Sequence, residues 1–150
     1  MSILQTLHSY LIKPGLWEIS GIHYDRNNNA YPQEGRLVVT HEPDLWTIET
    51  ELTITTEETQ TLHSRYDIQP MAPGATYTEW KSETGGPEPV FGLFVLVEDS
   101  LMSPWQSRSG AYWGQEMLIQ SGPGEYRGRG FAFLQNEKVF AWSTRLVLNG

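Results

Sequence analysis

The sequence predicts an all-β protein: an antiparallel up-and-down barrel of eight to ten strands with a short N-terminal helix. Three observations lead there. Apolar and polar residues alternate with a period of two over most of the chain. Short turns rich in Gly, Pro, Asn and Glu separate those runs, each long enough for a hairpin and too short for a crossover. No helical stretch lies between them, so parallel βαβ units are excluded. A meander of this many hairpins removes its exposed edges by closing on itself. At 150 residues the chain suits one domain, residues 1–150.

Composition agrees. Six Trp, seven Tyr and five Phe favour strands, and rings of this size bring a large buried area. A net charge of −8, from 18 acids against 10 basic residues, with no basic stripe, argues against a nucleic-acid partner and against anionic lipid surfaces. With no cysteine there is neither a disulfide framework nor thiolate chemistry. The first twelve residues lack a basic region and a continuous apolar core, so they do not read as a signal peptide. No run reaches the roughly 18 apolar residues of a membrane helix. A soluble, cytoplasmic protein with no cofactor is the expectation.

The elements follow in order. Leu4, Leu7, Leu11 and Ile12 recur at helical spacing with Ser2 as N-cap, and Pro14-Gly15 ends that segment. The first strand opens at Gly15. A turn in "RNNNAYPQ" then sets His23 opposite Leu37 and His41 opposite Ile19. In "LWTIETELTI", Trp46, Ile48, Thr50, Leu52 and Ile54 share one face, with Thr47, Glu49, Glu51 and Thr53 on the other. Its neighbours match: His41 faces Trp46, Val39 Ile48 and Leu37 Thr50 on one side, and Leu62 faces Leu52, Ser64 Thr50 and Tyr66 Ile48 on the other. "TYTEWKS" reads as a strand. "PVFGLFVLVED" is nearly all apolar and reads as covered on both faces or as a dimer contact. "LMSPWQS", "AYWGQEMLIQ", "EYRGRGFAFL" and "VFAWSTRLVL" complete the meander.

The last hairpin decides most about a site. If "QNEK" closes it regularly, Phe133 faces Phe140, Phe131 faces Trp142, Arg129 faces Thr144 and Arg127 faces Leu146. Met117 and Ile119 join that face across the "SGPG" turn. It is the bulkier, more aromatic face and reads as the inside, which carries Arg127 and Arg129 inward, where they need an anionic partner. One extra residue in the turn reverses this, and the two arginines are then surface groups paired with Glu116 or Glu125. Gly128 and Gly130 alternate with them and permit curvature, a bulge, or room for a neighbouring ring.

Gly15-Leu16-Trp17, after a short helix, resembles the G-x-W signature of lipocalins and the wider calycin group. The resemblance implies that Trp17 packs across the closed end of a barrel and that a basic residue near the end of the last strand covers it, a place held by Arg145 in "WSTRLVL". It departs from the lipocalin pattern in lacking a C-terminal helix and in a strand count that can exceed eight, so a ten-stranded relative of the fatty-acid-binding-protein kind fits equally.

No constellation names a reaction. His23 and His41 fall on the order of 13 Å apart along the ladder, too far to share an ion bound at about 2 Å; with His63 on the outer parity and His8 in the helix, no metal site is expected. His23 points inward near the open end, as a core histidine or a base. "GPGEYRGRG" is followed by a strand, so it is not a phosphate loop, and no serine lies in a nucleophile elbow.

The leading expectation is a binding protein holding a small apolar or amphipathic molecule, anionic or a tetrapyrrole, with Arg127, Arg129, Trp142, Trp113, Phe131, Tyr66 and His23 as its ligand contacts. The resemblance also implies a second class: a calycin-type enzyme, either a lyase that attaches bilins or an isomerase or cyclase of lipophilic substrates. Glu116, His23, Tyr66 or Arg129 would then do acid-base work. The third class is an interaction module or homodimer using "VFGLFVLV".

Overall fold

The computed structural model describes residues 3–84 and 86–149. After one helical turn, α1 (Ile3–Leu7), ten antiparallel strands run β1 (Gly15–Tyr24), β2 (Ala30–His41), β3 (Trp46–Thr55), β4 (Thr59–Ile68), β5 (Tyr77–Ser82), β6 (Val90–Val97), β7 (Ser100–Ser107), β8 (Tyr112–Gly122), β9 (Glu125–Leu134) and β10 (Glu137–Asn149). Each pairs with its sequence neighbours, and β1 pairs with β10 from Leu16↔Asn149 to Tyr24↔Ala141. The result is a closed ten-stranded barrel. Strand periodicity therefore translated directly into architecture. The registers of the β2–β3 and β3–β4 hairpins are those expected, including His41↔Trp46 and Leu52↔Leu62.

Two hairpins differ. The first closes earlier than "RNNNAYPQ" implies: His23 lies opposite Tyr31, and Leu37 opposite Trp17. Asp25 causes this. Its Oδ1 accepts the backbone N–H groups of Asn27 and Asn29, both at 2.9 Å. With Asn28 at φ 65°, the reversal is complete within five residues. Tyr31, Pro32 and Gln33 thus belong to β2. The slip is an even number of positions, so His23 still points inward.

In the last hairpin the ladder shifts by one between Lys138 and Phe140. Val139 is the extra residue of a β-bulge. Beyond it Trp142 lies opposite Gly130, Thr144 opposite Gly128 and Leu146 opposite Tyr126. The inner face is therefore Tyr112, Gly114, Glu116 and Leu118 on β8, Tyr126, Gly128, Gly130 and Ala132 on β9, and Phe140, Trp142, Thr144 and Leu146 on β10, the last as expected. The bulkier face, with Met117, Ile119, Phe131, Phe133, Arg127 and Arg129, is the outside.

The N-terminal segment seals one end of the barrel. Ser2, the expected N-cap, and the side chain of Leu4 lie outside what the structure describes. Among the described residues only one helical turn forms, Leu7 is exposed, and Gln5, His8, Tyr10 and Leu11 are buried. Polar bonds hold the segment more than a leucine stripe does. Gln5 Nε2 donates to the carbonyls of Ala72 (2.9 Å) and Ala75 (2.7 Å). Leu11, at φ 70°, offers its carbonyl to His41 Nε2 at 2.7 Å. His8 Nε2 donates to the Glu98 carbonyl at 2.8 Å, so its Nδ1 receives the Tyr126 hydroxyl at 2.7 Å. The same hydroxyl oxygen accepts from Ser9 N–H at 3.2 Å.

Trp17 is fully buried beneath this plug. Tyr10 and Tyr126 meet its indole edge-on, with ring centroids 5.4 and 5.7 Å away. The basic lid that the lipocalin resemblance implies is absent here. Arg145 sits on the outer parity, opposite Ser20 and Arg127, and pairs with Glu125 at the surface. Tyr126 is the covering group instead. Removing its hydroxyl by Tyr126→Phe leaves His8 Nδ1 and the Ser9 amide without a partner. We expect a loss of about 1–3 kcal/mol in urea unfolding, whereas Arg145→Met, which breaks only an exposed pair, leaves the midpoint unchanged. The reverse ranking would return the covering role to Arg145.

Candidate binding site in the barrel lumen

The inward side chains form two zones. Nearest the plug, Trp17, Val39, Ile48, Ile68, Leu101, Leu118, Tyr126 and Leu146 are almost completely buried. Farther up, Thr50, Leu52, Ser64, Tyr66, Trp105, Glu116 and Trp142 point inward by parity yet stay only half-buried. The lower barrel is packed; the upper interior keeps its inward side chains partly open to solvent. Its wall is also split. β4 and β5 pair only at Asp67↔Lys81 and Ile68↔Trp80, and above that point Leu62, inward by parity, is 41% exposed.

Aromatic rings lie against the lumen wall, and glycines make room for them. A Cβ on Gly130 would sit 2.1 Å from Trp142 Cζ2, and one on Gly114 would sit 2.4 Å from Trp105 Cζ2. Neither position tolerates a side chain while the ring stays in place. Tyr66 stacks on Trp80 with centroids 4.4 Å apart and planes 5° from parallel. Trp80 Nε1 donates to Ser103 Oγ at 3.0 Å. His23 stacks on Phe140 near the rim at 5.5 Å, and burial pushes its pKa down.

Glu116 stands among these rings, between Ser103 and Gly130 in the ladders. Its Oε2 accepts Trp142 Nε1–H at 2.8 Å. Its Oε1 has no protein partner among the described residues and is not sealed from solvent. Every Lys and Arg on the strands faces outward or lies at the surface, so no cation neutralises this carboxyl. Burial raises its pKa, against the smaller opposing effect of the Trp142 hydrogen bond.

That has a pH consequence. The folded protein holds the Glu116 proton to higher pH than the unfolded chain does. Stability is therefore lost as pH climbs from the ordinary value of 4.5 through the raised one. Glu116→Gln, uncharged at all pH, is expected to melt with wild type near pH 4 and above it at pH 7–8. Parallel melting curves across that range would show that the carboxyl is not desolvated in the folded state.

The seven residues read from sequence as ligand contacts divide in two. His23, Tyr66 and Trp142 line the lumen. Arg127 and Arg129 do not: both are exposed on the outer wall, where Arg129 donates to Ser143 Oγ at 2.9 Å. Trp113 and Phe131 are outside as well, edge to face at 6.0 Å, with Phe133 stacked on Trp113 at 4.8 Å. The Val139 bulge accounts for all four. Trp113 and Phe131 join Phe91, Leu93 and Pro104 along an outer groove of about 1080 Å³. The sequence reading undervalued Trp105, Trp80 and Glu116 as lumen groups. The signal was there for Trp105 and Trp142, since each is a large ring beside a strand containing glycine at matching parity.

No family model matches the chain, and no curated protein matches it. Among solved structures, the chain is similar in fold to the S-type phycobiliprotein lyase CPES from Guillardia theta. The TM-score is 0.53 at 8% sequence identity, over 100% of this chain and 94% of that one. The likeness covers the whole barrel. Among the described residues no helix is long and apolar enough to cross a membrane.

Proposed function

We propose that the protein binds a small apolar or amphipathic molecule in the barrel lumen above the Trp17 layer. The observation that carries this reading is the half-buried upper interior. Trp142 and Trp105 lie over Gly130 and Gly114 on the wall, and the Glu116 carboxyl has an oxygen with no partner among the described residues. A barrel closed at one end by a plug, with flat aromatic walls and few polar groups, has the character of a small-molecule site. The split between β4 and β5 offers a route inward.

Native mass spectrometry of freshly purified protein tests the reading without a prior guess. A stoichiometric adduct that disappears on denaturation is expected. A saturable ligand should also quench the indole of Trp142, and Trp142→Phe should remove most of that signal. An empty protein that no lipophilic probe quenches would rule the lumen out.

A second reading is enzymatic, of the calycin lyase kind. Its support is the fold shared with a phycobiliprotein lyase together with three groups able to move protons, Glu116, Tyr66 and His23, facing one lumen. Incubation with a free bilin and an acceptor phycobiliprotein subunit tests it, the readout being covalent colour on the acceptor in a denaturing gel.

A further inference from the structure

We infer that Glu116 is the recognition group for a lipophilic nitrogen base: the lumen selects a hydrophobic ligand carrying an ammonium or a similarly polarised N–H, and rejects the matching carboxylate. The inference rests on the lumen-binding reading and sharpens it. Four observations support it.

Among the described residues Glu116 is the one acid on the inner face of the strands, and no Lys or Arg accompanies it there. An anionic ligand entering this lumen meets a carboxyl group and finds no counter-charge. A positive or N–H-bearing group supplies what the site lacks. The carboxyl is also oriented. Trp142 Nε1–H holds Oε2 at 2.8 Å, and Oε1 has no hydrogen-bond partner among the described residues and is not sealed from solvent. Trp142 is itself positioned, because Gly130 opposite it carries no side chain. Finally, the half-buried rings of Tyr66 and Trp105 share the upper interior with Glu116, and aromatic faces attract cations and reject anions. Other titratable groups do not cancel this. Tyr66 and Tyr10 lie near enough to feel the Glu116 charge, and both are held neutral mainly by burial. His23 is biased towards its neutral form, again mainly by burial.

A half-buried carboxyl without a counter-charge destabilises the fold that holds it, and such groups cluster at functional sites. The outer arginines fit the same picture. The Val139 bulge removes both from the lumen and so reverses the ligand charge that a regular hairpin would have favoured.

Isothermal titration with three molecules of one skeleton is decisive: 2-(1-naphthyl)ethylamine, 1-naphthylacetate and 2-(1-naphthyl)ethanol, at pH 7.5. On wild type, the ammonium is expected to bind at least about tenfold tighter than the alcohol, and the carboxylate weaker than both. On Glu116→Gln, shown to be folded by circular dichroism, the ammonium should fall to the level of the alcohol. Equal binding of ammonium and carboxylate to wild type overturns the inference, whatever the variant does. Retention of the ammonium preference by Glu116→Gln overturns it too. If the alcohol binds but charge makes no difference, only this inference fails. If none of the three binds, the lumen reading falls and the inference with it.

Discussion

Replacing Trp17 with Ala is expected to cost about 3–5 kcal/mol in equilibrium denaturation, the largest effect of any single change considered for this barrel. Trp17 is completely buried, so the whole indole area is removed from the core. Tyr10, in the plug that closes the barrel, and Tyr126, on β9 beneath it, pack on its edge. The cavity therefore opens at the contact between the N-terminal segment and the strands, where strand pairing prevents collapse around it. Trp17→Phe should be much milder. It keeps an aromatic ring and deletes Nε1, which is buried without a hydrogen-bond partner. A loss below roughly 1 kcal/mol for Trp17→Ala would mean that the plug, and not the tryptophan, carries the sealed end.

Gly130→Val is the second large effect. The new Cβ would lie 2.1 Å from Trp142 Cζ2 and 2.3 Å from Cε2, so the indole has to leave the wall. Overpacking of this kind costs about 1–3 kcal/mol, and the move also breaks the Trp142–Glu116 hydrogen bond at 2.8 Å. A lower denaturation midpoint and a shifted tryptophan emission are expected together. Gly122→Ala is the control, since nothing lies within 4 Å of a Cβ there, and it should change neither. A wild-type-like Gly130→Val would place the ring elsewhere and remove the orienting contact from Glu116.

Period-two alternation by itself determined the order of the strands, the antiparallel meander and the registers around β3, and bounded the strand count at eight to ten; the count of ten and the closure of β1 on β10 came with the tertiary structure. The order, meander and registers depend on local pattern and short turns: one face of "LWTIETELTI" is apolar, and a single slip would turn all of it to water. Trp17 as a core residue was legible for the same reason. The identity of the lumen was decided only by tertiary structure. In β8 and β9 the aromatic, apolar face was read as the inside, on the rule that large apolar groups are buried. A closed barrel inverts that rule locally, because space inside is shared across strands. Trp105 and Trp142 occupy the volume over Gly114 and Gly130, so the inner face of one strand is small when its neighbour's is large. Nothing in the turn "QNEK" announces the bulge at Val139, which lies in the β9–β10 ladder beyond the pairing with β1. That one unpaired residue sends Arg127 and Arg129 to solvent and leaves Glu116 as the charge inside.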